Sequence, residues 1–407
     1  MRHRSLAVLL VCGLATVASA APWGVKSRHC PKLEARLAAL EAQPSTSPRR
    51  LARVRQRVAD RCVALNEIQV LGSHNSFHVE PRPTLMTALL AIASIFEAWQ
   101  YTHVPLDEQF ETQGVRQIEL DVFADPSGGR FASRGGLEIL GEDPISPIPA
   151  MAQPGFKVLH IQDVDFESTC VTFVDCLRTV KAWSDAHPNH LPIMILVEAK
   201  EDVIPDSLGV HFAVPLPIRE TELDALDAEI RSVFPAGRLI TPDRVRRGRA
   251  TLEESILELG WPRLGVLRGK VMFTLDNGGA VRTAYLNGHA GLSGRVLFTD
   301  ANPGSPEAAF IKANDPLANP ATIPALVEAG YVVRTRADGD TVQARSGDTT
   351  MRDAAIASGA QWVSTDYPVA DPDFGTGYLV AIPGGMPARC NPLNAPPGCR
   401  DNGLEQY

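Results

Sequence analysis

Glu119 and Asp121 stand at alternate positions of an apolar run, residues 115–123, so both project from the same face of a strand. If that face is the interior of a sheet or barrel, unpaired carboxylates there are costly, and a cation is the natural remedy. Asn75 follows the apolar run 68–71 and Glu198 ends the run 193–197. Asn75, Glu119, Asp121 and Glu198 offer only oxygen, a donor set that favours Ca2+ or Mg2+ over zinc. A shell of about seven or eight oxygens, completed by water, suits Ca2+. The competing reading is structural: the same carboxylates salt-bridged to Lys200 or Arg116. His74 and His160 also fall at ends of apolar runs, and two imidazoles facing a metal-bound anion can move protons at an oxygen nucleophile and an oxygen leaving group. Lys200, Arg334 and Arg336 could hold a phosphate, the arginines through their bidentate forks. The reaction class this combination implies is phosphodiester cleavage.

The elements that must carry these residues are eight apolar runs: 68–71, 115–123, 158–161, 193–197, 271–275, 296–298, 331–335 and 362–364. Plausible helices lie between several of them, at 173–186, 220–234, 251–259, 323–329 and 350–358. Near-continuous apolar strands alternating with helices predict a parallel sheet covered by helices, and eight strands fit a (β/α)8 TIM barrel. The run 158–161 is very short, and residues 238–241 could replace it. A doubly wound sheet is the alternative, but Gly72-Ser73-His74-Asn75-Ser76 is not a Gly-rich nucleotide turn. In a barrel the strand-end residues converge on the C-terminal rim, where barrel enzymes keep their chemistry. Asp300 and Asp366 also end strands, and are read as turn or N-cap residues.

Charged residues are 21% and hydrophobic residues 44% of the 407, an ordinary globular composition. The net charge of −8 argues against a nucleic-acid partner, and no segment suggests an obligate protein partner. Arg2 and Arg4 precede an apolar segment, residues 6–17, and Ala18-Ser19-Ala20 offers small residues at the cleavage positions. That pattern predicts a signal peptide over residues 1–20, cleaved after Ala20, and a secreted or periplasmic protein. Beyond Cys12 six cysteines remain, an even set that suits export. Proximity suggests Cys30 with Cys62, Cys170 with Cys176 and Cys390 with Cys399, although six cysteines allow about 15 pairings. Residues 21–66 read as an N-terminal helical extension, broken into a hairpin at Pro44-Ser45-Thr46-Ser47-Pro48. Residues 67–370 form the barrel, and 371–407 a disulfide-clipped C-terminal tail. The apolar segment 85–99 is either an interfacial lipid-docking helix or a helix packed on the barrel.

Several motifs in order carry a resemblance. They include Gly72-Ser73-His74-Asn75-Ser76-Phe77-His78, Arg116-Gln117-Ile118-Glu119-Leu120-Asp121, Leu159-His160-Ile161-Gln162-Asp163 and Val197-Glu198-Ala199-Lys200. Val333-Arg334-Thr335-Arg336 and Ser364-Thr365-Asp366-Tyr367-Pro368 follow. From about residue 68 to 368 the chain resembles the bacterial and fungal calcium-dependent phosphoinositide phospholipases C, within the phospholipase C-like phosphodiesterases. The resemblance implies a catalytic pair in His74 and His160 and a calcium site from Asn75, Glu119, Asp121 and Glu198. It further implies attack of the inositol 2-hydroxyl on phosphorus, giving diacylglycerol and a cyclic phosphate. Lys200, Arg334 and Arg336 transfer as substrate contacts. No pleckstrin-homology, EF-hand or C2-like segment is recognised, so any peripheral membrane contact falls to the barrel and its loops. The alternatives are a metal-dependent phosphodiesterase acting on glycerophosphodiesters or other lipid head groups, and a non-catalytic secreted lipid-binding barrel.

Overall fold

A computed structural model describes residues 30–405, apart from 207, 208, 210 and 386; the expected signal peptide lies outside the described residues. The strands are β1 (Ile68–Ser73), β2 (Gln117–Phe123), β3 (Lys157–Val158), β4 (Ile193–Ala199), β5 (Leu239–Ile240) and β6 (Val271–Leu275). They continue with β7 (Leu297–Thr299), β8 (Phe310–Lys312), β9 (Val332–Arg336), β10 (Trp362–Thr365) and β11 (Ala388–Cys390). Parallel pairing runs from β1 through β2, β4 and β6 to β7 in one direction, and from β1 through β10 and β9 to β8 in the other. A parallel bridge between Asp300 and Phe310 joins the two arms. The result is an eight-stranded α/β barrel, whose strands are apolar almost throughout because helices cover the sheet.

Two details differ from the sequence reading. The run 158–161 is not a ring strand: β3 pairs antiparallel with the end of β2. Nor do residues 238–241 supply the missing strand, because β5 reaches only the first two residues of β6 before β7 takes the next three. The eighth strand is β8, only three residues long, whose apolar signal is too brief to distinguish from a loop. Two of the helices after the strands start on side-chain caps; Thr172 Oγ1 accepts from the Asp175 N–H at 3.1 Å and Thr251 Oγ1 from the Glu254 N–H at 3.0 Å.

The N-terminal hairpin is present as α1 (Cys30–Glu41) and α2 (Pro48–Cys62), closed by the Cys30–Cys62 disulfide and packed through Leu37, Leu40, Val54 and Val58. Cys170–Cys176 and Cys390–Cys399 are the other disulfides, so proximity in sequence chose the right partners. The hairpin docks at the end of the barrel opposite the rim. There Arg263 donates to the Cys62 carbonyl at 2.8 Å and pairs with Glu67 at 3.0 Å, just ahead of β1 and β6. The C-terminal tail closes the same end: the Glu405 carboxylate accepts from the fully buried Arg116 Nε at 3.0 Å and from the Leu191 N–H at 2.8 Å. Arg116 precedes β2 and Leu191 precedes β4, so one carboxylate ties the starts of two neighbouring strands. Replacing Glu405 by Ala removes the counter-charge of a buried guanidinium, which typically costs about 3–5 kcal/mol. Denaturant unfolding of Glu405→Ala should show a loss of that order; a loss below about 1 kcal/mol would contradict the role given to this pair.

Candidate active site

The register of the ring assembles the rim. Asp121 lies directly across from Glu198 in the β2–β4 pairing, and Glu119 is two residues earlier on the same face as Asp121. Donor oxygens of Glu119, Asp121 and Glu198 all lie within 4.8 Å of one another. At the end of β1 the chain turns sharply: the His74 N–H bonds the Thr365 carbonyl at 2.9 Å and the Ser76 N–H bonds the Glu119 carbonyl at 2.9 Å. Between them Asn75 adopts φ +42°, a left-handed conformation that Asn tolerates better than most residues.

The electrostatics of the cluster are those of a site built around positive charge. Burial, then the negative charge of Glu198 and Glu119, pushes the Asp121 carboxyl well above the usual range, although Lys200 opposes the shift. Burial pushes Glu119 up to about 7 despite Arg334, whose guanidinium bonds Glu119 Oε2 at 2.6 Å. Lys200 Nζ stands 3.4 Å from Asp121 and 3.3 Å from Glu198. One ammonium and one guanidinium do not satisfy the cluster: Asn75 Oδ1 and both Asp121 carboxylate oxygens are buried without a hydrogen-bond partner. Buried polar atoms are otherwise paired almost without exception. The orphaned Asp121 oxygens, with Glu119 and Glu198 beside them and the orphaned Asn75 Oδ1 on the turn bonded to Glu119, could hold a hard divalent cation, and Ca2+ suits an all-oxygen set of this kind.

Beside this cluster a cleft of about 560 Å3 is lined by His74, His160, Arg336 and Asp366, with Phe96 and Trp99 as an aromatic wall. Each histidine has its own carboxylate. His74 Nδ1 bonds Asp366 Oδ1 at 2.7 Å, and Arg336 holds the other Asp366 oxygen at 2.9 Å. Burial alone would raise the Asp366 carboxyl, but His74 and Arg336 outweigh it and hold the group well below the usual carboxylate range. Burial and the Arg336 charge together push His74 down to about 3. Arg336 also approaches His74 Nε2 at 3.3 Å, a contact that suits a neutral imidazole with its lone pair at Nε2. His160 Nδ1 bonds Asp165 Oδ2 at 2.6 Å, and the same carboxylate receives His78 Nε2 at 2.9 Å.

Of the residues singled out from sequence, Glu119, Asp121, Glu198 and Lys200 share one cluster, Asn75 stands on the turn whose Ser76 N–H meets the Glu119 carbonyl, and His74, His160 and Arg336 line the adjoining cleft. Arg334 is only 1% exposed and is spent on Glu119, Asn314 Oδ1 at 2.7 Å and Ser364 Oγ at 3.1 Å. Arg116, the other structural candidate, belongs to the opposite end of the barrel with Glu405. Asp366 corrects the expectation of a turn or cap residue, because its carboxylate serves His74 and Arg336. Asp300 accepts the Lys312 N–H at 2.9 Å and stays a strand-joining residue. Asp165, His78 and Tyr101 were missed: a carboxylate five residues after His160 has no periodic signature, although its spacing allowed a loop to fold it back.

The family whose sequence profile matches residues 63–392 is described as phosphoinositide phospholipase C, Ca2+-dependent. Among solved structures, a calcium-dependent phosphoinositol-specific phospholipase C from a Gram-negative Pseudomonas species aligns at 16% identity and a TM-score of 0.48, covering 80% of this chain and 95% of its own. A Ca2+-dependent phosphatidylinositol-specific phospholipase C from Streptomyces antibioticus aligns at 18% identity and 0.47, covering 77% and 97%. No curated protein matches this chain. With a match over most of its length, the chain belongs to the Ca2+-dependent phosphoinositide phospholipase C family, enzymes that cleave phosphodiesters.

Proposed function

We propose that the rim cleaves phosphoinositide to diacylglycerol and a cyclic inositol phosphate by acid–base catalysis between His74 and His160. The observation that carries this reading is the pairing of two imidazoles, each bound through Nδ1 to a buried carboxylate, across a cleft that adjoins the orphaned oxygen cluster. With Nδ1 donating to Asp366, His74 offers the lone pair of Nε2 to the inositol 2-hydroxyl and takes its proton. The hydroxyl oxygen bonds phosphorus, and the bond from phosphorus to the diacylglycerol oxygen breaks. His160, oriented through Asp165, gives the proton that this leaving oxygen requires. Water attacking the cyclic product with the two roles exchanged yields inositol phosphate. Asn75, Glu119, Asp121 and Glu198 are the ligands in this reading. Ca2+ held there supplies positive charge for the phosphoryl oxygens as their negative charge grows. Arg336 and Lys200 are placed to contact the phosphate, while Arg334 holds Glu119 in place.

Two further features support a membrane-lipid substrate met outside the cytoplasm. Ile92 is 51% and Ile95 75% exposed just before the Phe96–Trp99 wall of the cleft, and Val342 and Val369, after β9 and β10, are 58% and 56% exposed. These aliphatic side chains stand in the connections that follow β1, β9 and β10, Ile92 and Val342 at helix ends, Ile95 in a 3-10 turn and Val369 in a loop, where they suit shallow insertion beside lipid head groups. In the segment 85–99 Leu85 and Leu89 pack on Leu137 and Val164 with Phe96 and Trp99 against them, as in the packed-helix expectation, while the exposed Ile92 and Ile95 support the lipid contact proposed here. The three disulfides suit export. Among the described residues no helix is long and apolar enough to cross a membrane.

His74→Ala and His160→Ala should each lower kcat by about 100- to 10,000-fold with the melting temperature unchanged. Activity within about tenfold of wild type would remove that residue from the acid–base pair. Ca2+ should raise the melting temperature of the wild type, by the equivalent of about 2.7 kcal/mol at a hundredfold excess over Kd, but not that of Asp121→Asn. Equal shifts in both would contradict the ligand assignment. Incubation with phosphatidylinositol and with glycerophosphodiesters, each with and without chelator, should give cyclic inositol phosphate from the former alone and only with Ca2+ present. Turnover of the glycerophosphodiesters instead would transfer the assignment to that substrate class.

A further inference from the structure

Three buried side chains connect the two halves of the site. Tyr101 is 3% exposed, and its hydroxyl accepts the Asn75 Nδ2–H at 3.2 Å. Because the amide nitrogen is engaged there, the Asn75 carbonyl oxygen is the atom left to act as a ligand, and it is one of the orphaned oxygens. The same Tyr101 holds His78 twice: its ring stacks on the imidazole with centroids 4.2 Å apart, and its backbone carbonyl receives His78 Nδ1 at 3.0 Å. His78, fully buried, donates through Nε2 to Asp165, which in turn fixes His160 Nδ1. The His78 and His160 rings also meet edge to face at 5.6 Å. The chain from Asn75 to His160 therefore runs through Tyr101, His78 and Asp165 without a gap.

We propose that Tyr101 and His78 are positioning residues with separate tasks: Tyr101 orients the calcium ligand Asn75 through its hydroxyl, and His78, stacked on Tyr101, orients the proton donor His160 through Asp165. The inference rests on the roles given to Asn75 and His160 above. Partners of this kind, one step removed from a metal or reacting group, typically contribute about 10- to 100-fold in affinity or activity when removed. The two residues should fail differently. Tyr101 acts on the ligand through its hydroxyl, whereas His78 acts on His160 alone through Asp165.

The test uses the full chain with short-chain, monomeric phosphatidylinositol, reading kcat, KM and the Ca2+ concentration that gives half of the thermal shift. Tyr101→Phe, which keeps the ring stack, should raise that Ca2+ concentration about tenfold. His78→Leu should lower kcat by about 10- to 100-fold while KM and the Ca2+ half-point stay at wild-type values. His78→Gln, whose amide can still donate to Asp165, should recover most of the loss. A Tyr101→Phe half-point within twofold of wild type overturns the proposal, and decides the matter even where His78→Leu does not fold. So does a His78→Leu whose kcat is unchanged, or whose kcat and Ca2+ response fail together. If His160→Ala stays active, or the wild type shows no Ca2+ shift, the underlying reading fails; if both controls behave and the variants are silent, the positioning claim alone fails.

Discussion

Three carboxylates and one amide oxygen at the end of a parallel barrel are the constraint around which this molecule is arranged. Glu119 and Asp121 are buried and Glu198 half-buried, so the three crowd negative charge at the edge of the barrel interior, and two basic side chains only partly balance it. Such a cluster destabilises its own ionised form, which is why burial and mutual repulsion raise Asp121 and Glu119. The cost is tolerable because the rim is where a barrel ends: Lys200, just past β4, and Arg334, on β9, bring positive charge to oxygens that β2 and β4 hold. Packing at the opposite end, by the stapled hairpin and by Glu405, keeps the starts of the strands in place and leaves the rim free for chemistry.

The histidines extend the same logic. Each is held by a carboxylate that is itself over-determined: Asp366 by Arg336 and by the turn in which Asp338 Oδ1 accepts its N–H at 2.9 Å, and Asp165 by His78. Orientation is thereby fixed from behind; Nε2 of His160 is left for the cleft, and Nε2 of His74 meets Arg336 there. An imidazole free to rotate would spend much of its time out of line for proton transfer, so these partners contribute by geometry as much as by charge.

Much of this was legible in the sequence because the signal was periodic or local. Alternation in residues 117–123 placed Glu119 and Asp121 on one face, and the polar turn after residues 68–71 marked His74 and Asn75 as strand-end groups. Short or non-local features were harder to see. β8 is three residues of ring strand in a chain full of longer apolar runs, so Val158 was taken in its place. Asp366 followed a strand as many turn residues do, and only the parallel register of β1 against β10 brings its carboxylate to His74. Asp165 and Tyr101 act through contacts that depend on how two irregular loops fold over the rim, which no spacing rule encodes. Arg334 looked like a phosphate contact from its strand-end position, yet sits one layer too deep, against Glu119.

The Ca2+ site proposed at the rim would couple cation binding to the protonation of its buried carboxylates. Calorimetric titration with Ca2+ at pH 7, repeated in buffers of different ionisation enthalpy, measures both the stoichiometry and the protons exchanged. One Ca2+ per chain, bound with net proton release that grows as the pH is lowered, is the predicted result, since Glu119 is pushed up to about 7 and Asp121 well above its ordinary value. No saturable binding, or binding with no proton release at any pH, would contradict the account.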